Sequence, residues 1–325
     1  MGVLQQRFLL SAMALLLATD AAWGAQKPAA RIGFLALSAS SCRNEAFIEG
    51  MKDLGYQEGK DFEIECRDAG GQISALPKAA EILVKAKPAV ILAFGHAYIS
   101  AMHRATKTIP VVMVASGDPV TFGFAKSLAK PGGNMTGLTY YAPELTAKRI
   151  ELLKMVLPGL KRVAVLNAPE VSPELSAVYQ RNVQEAARTL GLQIVIYKAN
   201  NLQEISAAFE AMAKDRMQAV HPLPNYVFAL HAQEIADLAR INGLPSIHFL
   251  MSYAPLGGLM SYGPDYDLLH RRAATYVDKI LHGAKPGDLP VNQPERLAFI
   301  LNQSFAKELG LTIQSYLLLR SDNVI

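Results

Sequence analysis

The sequence is poor in cysteine, in charge and in long apolar runs, and each shortage excludes a class of protein. Its 325 residues include two cysteines, Cys42 and Cys66, without a C-x-x-C pair, which argues against a zinc ribbon or a dithiol redox site. Charged residues make up 18% and the formal net charge is +4. No run of five Lys or Arg exists, so we expect no nucleic-acid partner. Beyond the N-terminal segment no stretch reaches the roughly 18 apolar residues of a membrane span.

Signatures of common enzymes and cofactor sites are also missing. There is no G-x-S-x-G elbow and no Walker loop, and the first predicted strand runs into SASSC rather than G-x-G-x-x-G. His96 and His103 lie two helical turns apart, too far for the usual i, i+4 metal pair. We therefore expect no catalytic residues, no metal and no cofactor. A secreted hydrolase is the enzymatic alternative.

The N-terminus has the three parts of a secretory signal. Arg7 precedes an apolar run, Phe8–Thr19, and the small residues Ala22 and Gly24 suit the positions before a cleavage site. The sequence predicts a signal peptide over residues 1–24 and a periplasmic location for the rest of the chain. An uncleaved N-terminal anchor is the alternative.

Short β-rich runs alternate with helical stretches in two successive rounds. The first round begins at Arg31–Leu37 and includes a helix near Phe122–Ala129, and the second begins at Arg162–Leu166. Such alternation predicts an α/β fold of two Rossmann-like lobes with parallel sheets. The tail breaks this rhythm and can complete both sheets, which implies a hinge of several crossovers. The predicted lobes are residues 25–141 plus 255–290 and residues 142–254 plus 291–325.

Polar loops follow many of the predicted strands. Ligands of open parallel sheets bind beyond the carboxyl ends of the strands, and helix N-termini there suit anions. The loops are Ser38–Arg43, Gly95–Tyr98, Ser116–Val120, Asn167–Pro173, Pro224–Phe228 and Met251–Tyr253.

Several stretches resemble a known family. The segments RIGFLALSAS, KPAVILAFG, IPVVMVASGDPV and GGLMSYGPDYDLLHRRAATYVDKILHGAKPGDLPV are similar to ABC-transporter substrate-binding proteins that include tryptophan-binding members. The resemblance covers about residues 30–325, and SGDPV followed by SYGPDY is its most specific part. It implies the type I periplasmic-binding fold, with a ligand in the cleft between two lobes.

The resemblance also implies which residues bind the ligand. By position in this sequence they are Gly95, His96, Ala97, Ser116, Asp118, Pro119, Asn167, Glu170 and Asn225. Ser40 and Ser41 are further candidates because they lie in the first strand-end loop. Asp118 and Asn225 have a second interpretation as helix or turn caps. Asn167 and Glu170 have one as solvated loop residues.

Two tyrosines and the two cysteines complete the predicted site. Tyr141, at the first crossover, and Tyr253, near a later one, either stack on a flat ligand or pack the hinge. Cys42 follows the first strand and Cys66 ends the second, so neighbouring parallel strands bring them to one side of the sheet. A disulfide is therefore feasible, and two unpaired thiols are the alternative.

These features together favour a periplasmic solute-binding protein. It would capture a small polar or amino-acid-like molecule and deliver it to the permease of an ABC transporter. An aromatic amino acid is one candidate for this ligand. We expect a monomer. A sensory module of the same fold that signals to a membrane receptor is the alternative.

Overall fold

The computed structural model describes residues 28–140 and 143–325, except for the side chains of Ser40, Pro143 and Glu144. The signal segment predicted over residues 1–24 lies outside the described residues. Within the described ranges, no helix combines the length and apolar character needed to cross a membrane.

Strands and helices alternate along most of the chain. The strands are β1 (Ala30–Ala36), β2 (Phe62–Asp68), β3 (Val90–Phe94), β4 (Val111–Ser116), β5 (Met135–Thr139), β6 (Arg162–Asn167), β7 (Gln193–Lys198), β8 (Val220–Pro222), β9 (Ile247–His248), β10 (Met260–Pro264), β11 (Leu297–Leu301) and β12 (Asn323–Val324). The α-helices are α1 (Glu45–Asp53), α2 (Leu76–Lys85), α3 (His96–Ala105), α4 (Pro143–Val156), α5 (Pro173–Leu190), α6 (Leu202–Lys214), α7 (Tyr226–Leu230), α8 (Ala232–Ile241), α9 (Tyr266–Leu281), α10 (Gln303–Glu308) and α11 (Ser315–Arg320).

The first lobe is built on a five-stranded sheet of order β2-β1-β3-β4-β5, in which every pairing is parallel. The central strand β3 is the apolar run VILAF, as expected for a strand covered on both faces. One face packs against α1 and α9 through residues such as Phe47 and Leu269. The other packs against α2 and α3 through Leu83 and Ile99.

The second lobe continues the same architecture. β7, β6 and β8 pair in parallel, and a bridge between Val220 and Ser246 leads to the strands of order β9-β10-β11-β12. Only the β10–β11 pairing is antiparallel among those described. The predicted α/β class with two parallel-sheet lobes is confirmed.

Between the elements that the structure describes, the chain passes from one sheet to the other three times. The passages lie between β5 and α4, between β10 and α9, and between Asn292, which bridges to Leu138 of β5, and β11. The sequence-based boundaries differ from this pairing in two places. Residues 255–290 include β10, which pairs with β9 and β11 of the second sheet. Val291 packs in the first-lobe core instead of the second. The boundary could not be located from the sequence because a short apolar strand such as MSYGP suits either sheet.

Helix α9 packs closely against α1 of the first lobe. A Cβ atom added to Gly50 of α1 would lie 2.3 Å from the carbonyl oxygen of Arg271 in α9, so only glycine permits this approach. Arg271 also forms ion pairs with Glu49 and Asp53 across the same pair of helices. These exposed ion pairs contribute little to stability, so the apolar helix contact holds the two helices together.

Two local predictions differ from the structure. The helix predicted near residues 122–129 is wrong, because that segment forms turns in which Phe124 and Ala125 both donate to the carbonyl of Pro119. Gly123 adopts a left-handed φ of 70°, which interrupts a helix. Helix α4 was not predicted.

Candidate functional site

His96 lies at the carboxyl end of the first sheet. β3 ends at Phe94, and Gly95, with a φ of 95°, turns the chain directly into α3. The His96 ring is buried against Phe122, with ring centroids 4.2 Å apart. Its Nε2 lies 3.4 Å from Ser100 Oγ, whereas its Nδ1 has no hydrogen-bond partner among the described residues. One ring nitrogen is therefore buried and still able to bond.

Burial fixes the charge of this ring. It lowers the pKa of His96 to about 4, against a small opposing effect from Glu174 of the second lobe. The ring is therefore neutral at pH 7 and offers one N–H donor and one nitrogen acceptor.

Ser116 lies beside His96 at the end of β4. The pairing register with β5 shifts between Val114 and Ser116, and Ala115 between them adopts a left-handed φ of 57°. Irregularities of this kind redirect side chains next to functional sites. The Ser116 carbonyl accepts a hydrogen bond from Thr139 Oγ1 at 3.0 Å, so the backbone is fixed. Its hydroxyl is fully buried and has no partner in the described chain.

Asn167 occupies the corresponding place in the second lobe, at the end of β6. Its Oδ1 accepts a hydrogen bond from Ser176 Oγ of α5 at 2.8 Å, which fixes the amide. Its Nδ2 is buried and unpaired among the described residues. A small pocket surrounds it, lined by Asn167, Ala168, Ser172, Leu175, Ser176, Tyr179, Leu223, Pro224 and Asn225. A wider groove lies outside this region, beside the carboxyl-terminal half of α5.

The strand ends of the two lobes face each other. The Tyr98 and Tyr226 rings meet edge to face with centroids 6.2 Å apart, and Tyr179 donates a hydrogen bond to Tyr140 at 3.1 Å. A Cβ atom on Gly117 would lie 3.0 Å from Leu175 Cδ1 of the other lobe and 3.2 Å from His96 Nδ1. The unpaired polar atoms of both lobes therefore border one narrow cleft.

Residues 34–325 match the family of ABC transporter substrate binding proteins. The chain belongs to this family. The substrate-binding protein is 27% identical over 268 residues to the tyrosine-binding protein of Clostridioides difficile (strain R20291), an alignment that covers 82% of this chain and 76% of that protein.

Solved structures share its fold. A conserved domain protein from Vibrio cholerae O1 biovar El Tor superposes with a TM-score of 0.81 at 27% identity, covering 91% of this chain and 99% of that one. The ABC domain in complex with L-Trp from Streptococcus pneumoniae superposes with a TM-score of 0.79 at 24% identity, covering 91% of this chain and 100% of that one. The predicted family and its two-lobed periplasmic-binding fold are confirmed.

Asp118 and Asn225 act as caps in the substrate-binding protein. The Asp118 carboxylate accepts hydrogen bonds from the Val120 amide and the Thr121 hydroxyl, so both oxygens are engaged in the turn. Asn225 Oδ1 accepts from the Phe228 amide at 3.0 Å and caps α7. Asn225 still lines the pocket, and the two bonds to Asp118 use only half of the roughly four acceptor positions of a carboxylate, so its role in ligand binding stays a prediction.

Other predicted residues lie at the margins of the cleft loops. Ser41 is exposed and its hydroxyl lies 3.3 Å from that of Ser38. Glu170 is exposed, with its backbone amide donating to Asn200 Oδ1. Ala97 packs against the first-lobe core and Pro119 is buried. The side chain of Ser40 and all of Tyr141 lie outside the described residues.

Tyr253 lies in the second-lobe core, which differs from both predicted positions, on the ligand and in the hinge. Its ring is fully buried in the second-lobe core, stacked on His248 with centroids 4.7 Å apart. Its hydroxyl donates to Ser246 Oγ at 2.8 Å, at the amino end of β9. The ring packs a core that its short local sequence, MSY, does not reveal.

The structure joins Cys42 and Cys66 by a disulfide, with their Cα atoms 5.6 Å apart. The bond links the segment after β1 to β2, the neighbouring strand. It therefore restrains the loop that contains Ser41.

Sequence reasoning missed three side chains near the cleft: Ser176 and Tyr179 of α5, which line the pocket, and Arg149 of α4. Ser176 and Tyr179 stand three residues apart on the predicted helix Pro173–Leu190 and share one face, so their spacing was a usable signal. Arg149 of α4, only 1% exposed, gave no such signal because burial of a charged residue is rare.

Acid is expected to destabilise the substrate-binding protein between about pH 6.5 and pH 4. Burial lowers the pKa of His96 and His270 to about 4 and that of His221 to about 3, so the unfolded chain binds protons in this range before the folded one does. The free energy of unfolding is therefore highest above pH 6.5 and falls as the pH is lowered, by up to about 1.4 kcal/mol per pH unit for each histidine.

Urea unfolding at pH 7, 5.5 and 4.5 measures the slope of the free energy of unfolding against pH. His270 Nδ1 lies 3.0 Å from Asn44 Nδ2, which donates to the neutral ring, so His270→Asn should reduce the slope. The exposed His282 is the matched control, and His282→Asn should leave it unchanged. Equal slopes for wild type and His270→Asn would contradict the assignment.

Proposed function

We propose that this substrate-binding protein captures a small polar or amino-acid-like solute between its lobes and delivers it to the permease of an ABC transporter. The observation that carries the proposal is a set of buried polar atoms without partners: His96 Nδ1 and Ser116 Oγ from the first lobe and Asn167 Nδ2 from the second. Leaving a buried polar group unpaired costs about 1–3 kcal/mol each, and nearly all such groups in folded proteins are bonded. A polar solute in the cleft would satisfy them together.

The contributions from both lobes explain how binding is coupled to motion. A ligand that bonds His96 and Asn167 at once contacts both lobes only when they are close. Its binding therefore shifts a hinge equilibrium toward the closed form. The three passages of the chain between the sheets are suited to absorb this rotation. We propose that the permease recognises that closed form.

An aromatic amino acid is the ligand class we favour. Two relatives are described as a tyrosine-binding protein and as a complex with L-Trp. Tyr98 and Tyr226 present rings from opposite lobes at the cleft, and Tyr179 lines its pocket. Aromatic pairs contribute about 0.5–1.5 kcal/mol beyond the area that they bury.

We place this activity outside the cytoplasm and expect no chemical change of the ligand. The disulfide between Cys42 and Cys66 supports an oxidising compartment, where such bonds persist. The polar groups at the cleft suit recognition: His96 is neutral, and the Asp118 carboxylate accepts the hydroxyl of Thr121 within its turn. We propose a monomer that releases its ligand unchanged.

Ligand recovery tests the function directly. Purified protein is denatured and the released molecules are identified by mass spectrometry, and refolded protein is titrated with L-tryptophan and L-tyrosine by calorimetry. We expect an unmodified solute to be recovered and the same solute to raise the melting temperature, since a ligand at 100 times its Kd adds about 2.7 kcal/mol to stability. Conversion of the solute to a product, or no binding in a broad metabolite screen, would contradict the proposal.

A further inference from the structure

Arg149 is a buried cation with no counter-ion among the described residues. It lies on α4, is 1% exposed and ranks among the largest fully buried side chains of the described residues. Its Nε donates to the carbonyl oxygen of Tyr262 at 2.7 Å. In the described part of the chain, neither Nη atom forms a hydrogen bond and no Asp or Glu pairs with it. A guanidinium has five N–H donors, so most of its bonding capacity is unused.

The groups around Arg149 are neutral. Four tyrosines interact with it electrostatically: Tyr140, Tyr179, Tyr262 and Tyr266. Burial raises the pKa of Tyr140, Tyr179 and Tyr266, so these hydroxyls stay protonated at pH 7. His221 also faces Arg149, and burial lowers its pKa to about 3, which keeps it uncharged. Within the described ranges no group offsets the positive charge, although buried charges are normally paired.

The position of this cation relates it to the cleft. Tyr140 lies where the chain first leaves the first lobe, and Tyr266 begins α9 after the second passage; their rings are 5.9 Å apart. Tyr179 lines the pocket that contains Asn167, and its hydroxyl donates to Tyr140. Arg149 therefore interacts with tyrosines on the hinge side of the cleft, and one of them, Tyr179, lines the pocket.

Thr146 adds a second unused donor on the same helix. It is fully buried, and its Oγ1 has no hydrogen-bond partner among the described residues. Residues three apart on a helix share a face, so Thr146 and Arg149 are neighbours. An anion placed between them would gain hydrogen bonds from both.

We propose that Arg149 and Thr146 bind the carboxylate of the captured ligand at the hinge side of the cleft. A guanidinium binds a planar carboxylate through two parallel hydrogen bonds, and the threonine hydroxyl supplies a third. The Tyr140 and Tyr179 side chains turn aside to admit it. This inference rests on the proposed function and narrows it, because it makes the ligand a carboxylate-bearing solute and excludes neutral sugars and amines.

Paired ligands with and without a carboxylate test the inference on the full chain, freed of bound solute by denaturation and refolding. Calorimetry compares L-tryptophan with tryptamine and L-tyrosine with tyramine, and thermal melts add a panel of other carboxylates, polyols and sodium chloride. We expect wild type to bind a carboxylate and to bind its carboxyl-free analogue about 100-fold more weakly. Arg149→Met should lower carboxylate affinity about 100-fold and leave analogue binding unchanged.

Further variants keep the test decisive. Thr146→Val preserves shape and should lower carboxylate affinity about tenfold. Arg181→Met removes an exposed arginine of α5 and should change nothing. If Arg149→Met does not fold, Arg149→Lys, which keeps the charge but loses the planar fork, should still weaken carboxylate binding measurably.

Three results would overturn the inference. The first is an Arg149→Met variant whose affinity for carboxylates lies within threefold of that of wild type, and the second is a wild-type protein that binds only neutral or cationic solutes. The third is a melting temperature that chloride alone raises in wild type but not in Arg149→Met. In the second case solute capture in the cleft stands while the role of Arg149 falls. Binding of no solute at all would overturn both.

Discussion

Replacing His96 by phenylalanine and Asn167 by leucine together is expected to lower ligand affinity about 1,000-fold. Each substitution keeps the size of the side chain but removes a buried nitrogen that has no partner in the described chain. Each substitution leaves a desolvated group of the ligand unpaired, which lowers the binding free energy by about 2 kcal/mol. The two positions lie in different lobes, so the two losses should add. Either change alone should weaken binding about 30-fold.

Calorimetry on the two single variants and the double variant measures these losses. The unliganded melting temperature should stay the same or rise in His96→Phe, because an unsatisfied buried nitrogen is removed. Glu170→Gln is the matched control. Glu170 follows Asn167 closely in sequence but is exposed, so the affinity of this variant for the ligand should differ less than twofold from that of wild type. A double variant that binds within tenfold of wild type would show that the cleft is not the binding site.

The positions of the cleft loops could be predicted from the sequence because they depend on local signals. The apolar run VILAF and the glycine after it define a strand and the start of a helix, and parallel strands place such turns at one edge of a sheet. The loops that contain His96, Ser116 and Asn167 were located in this way, whereas the resemblance singled out the residues themselves, and their part in ligand binding stays a prediction. The order of the first two strands made a disulfide between Cys42 and Cys66 feasible, and the structure contains it.

Features that depend on contacts between distant segments could not be predicted. The turn around Asp118 depends on a local bend that brings the hydroxyl of Thr121 to its carboxylate. Tyr253 is held in the core by its contacts with His248, on the two-residue strand β9, and with Ser246, which precedes that strand. Arg149 is buried by tyrosines from three separate parts of the chain, and no sequence pattern marks their convergence.

The second large effect is expected from Gly137→Ala, which should destabilise the fold by about 4 kcal/mol or more. Gly137 of β5 has a φ of 134°, and an added Cβ atom would lie 2.1 Å from the carbonyl oxygen of Met113 on β4. Its own carbonyl accepts a hydrogen bond from the Asn292 amide at 3.0 Å. The backbone is thus held on both sides and cannot move away from the clash.

Thermal and urea unfolding measure this loss, with a fall in melting temperature on the order of 10 °C. Two glycines separate its causes. Gly159→Ala, where the ordinary backbone and open space accept a Cβ atom, should be nearly neutral. Gly123→Ala, with a φ of 70° but no nearby atoms, should cost only the dihedral strain of about 1–2 kcal/mol. If Gly137→Ala is no worse than Gly123→Ala, β4 and β5 can separate at low cost. The register shift that positions Ser116 would then be a soft feature of the cleft, not a fixed one.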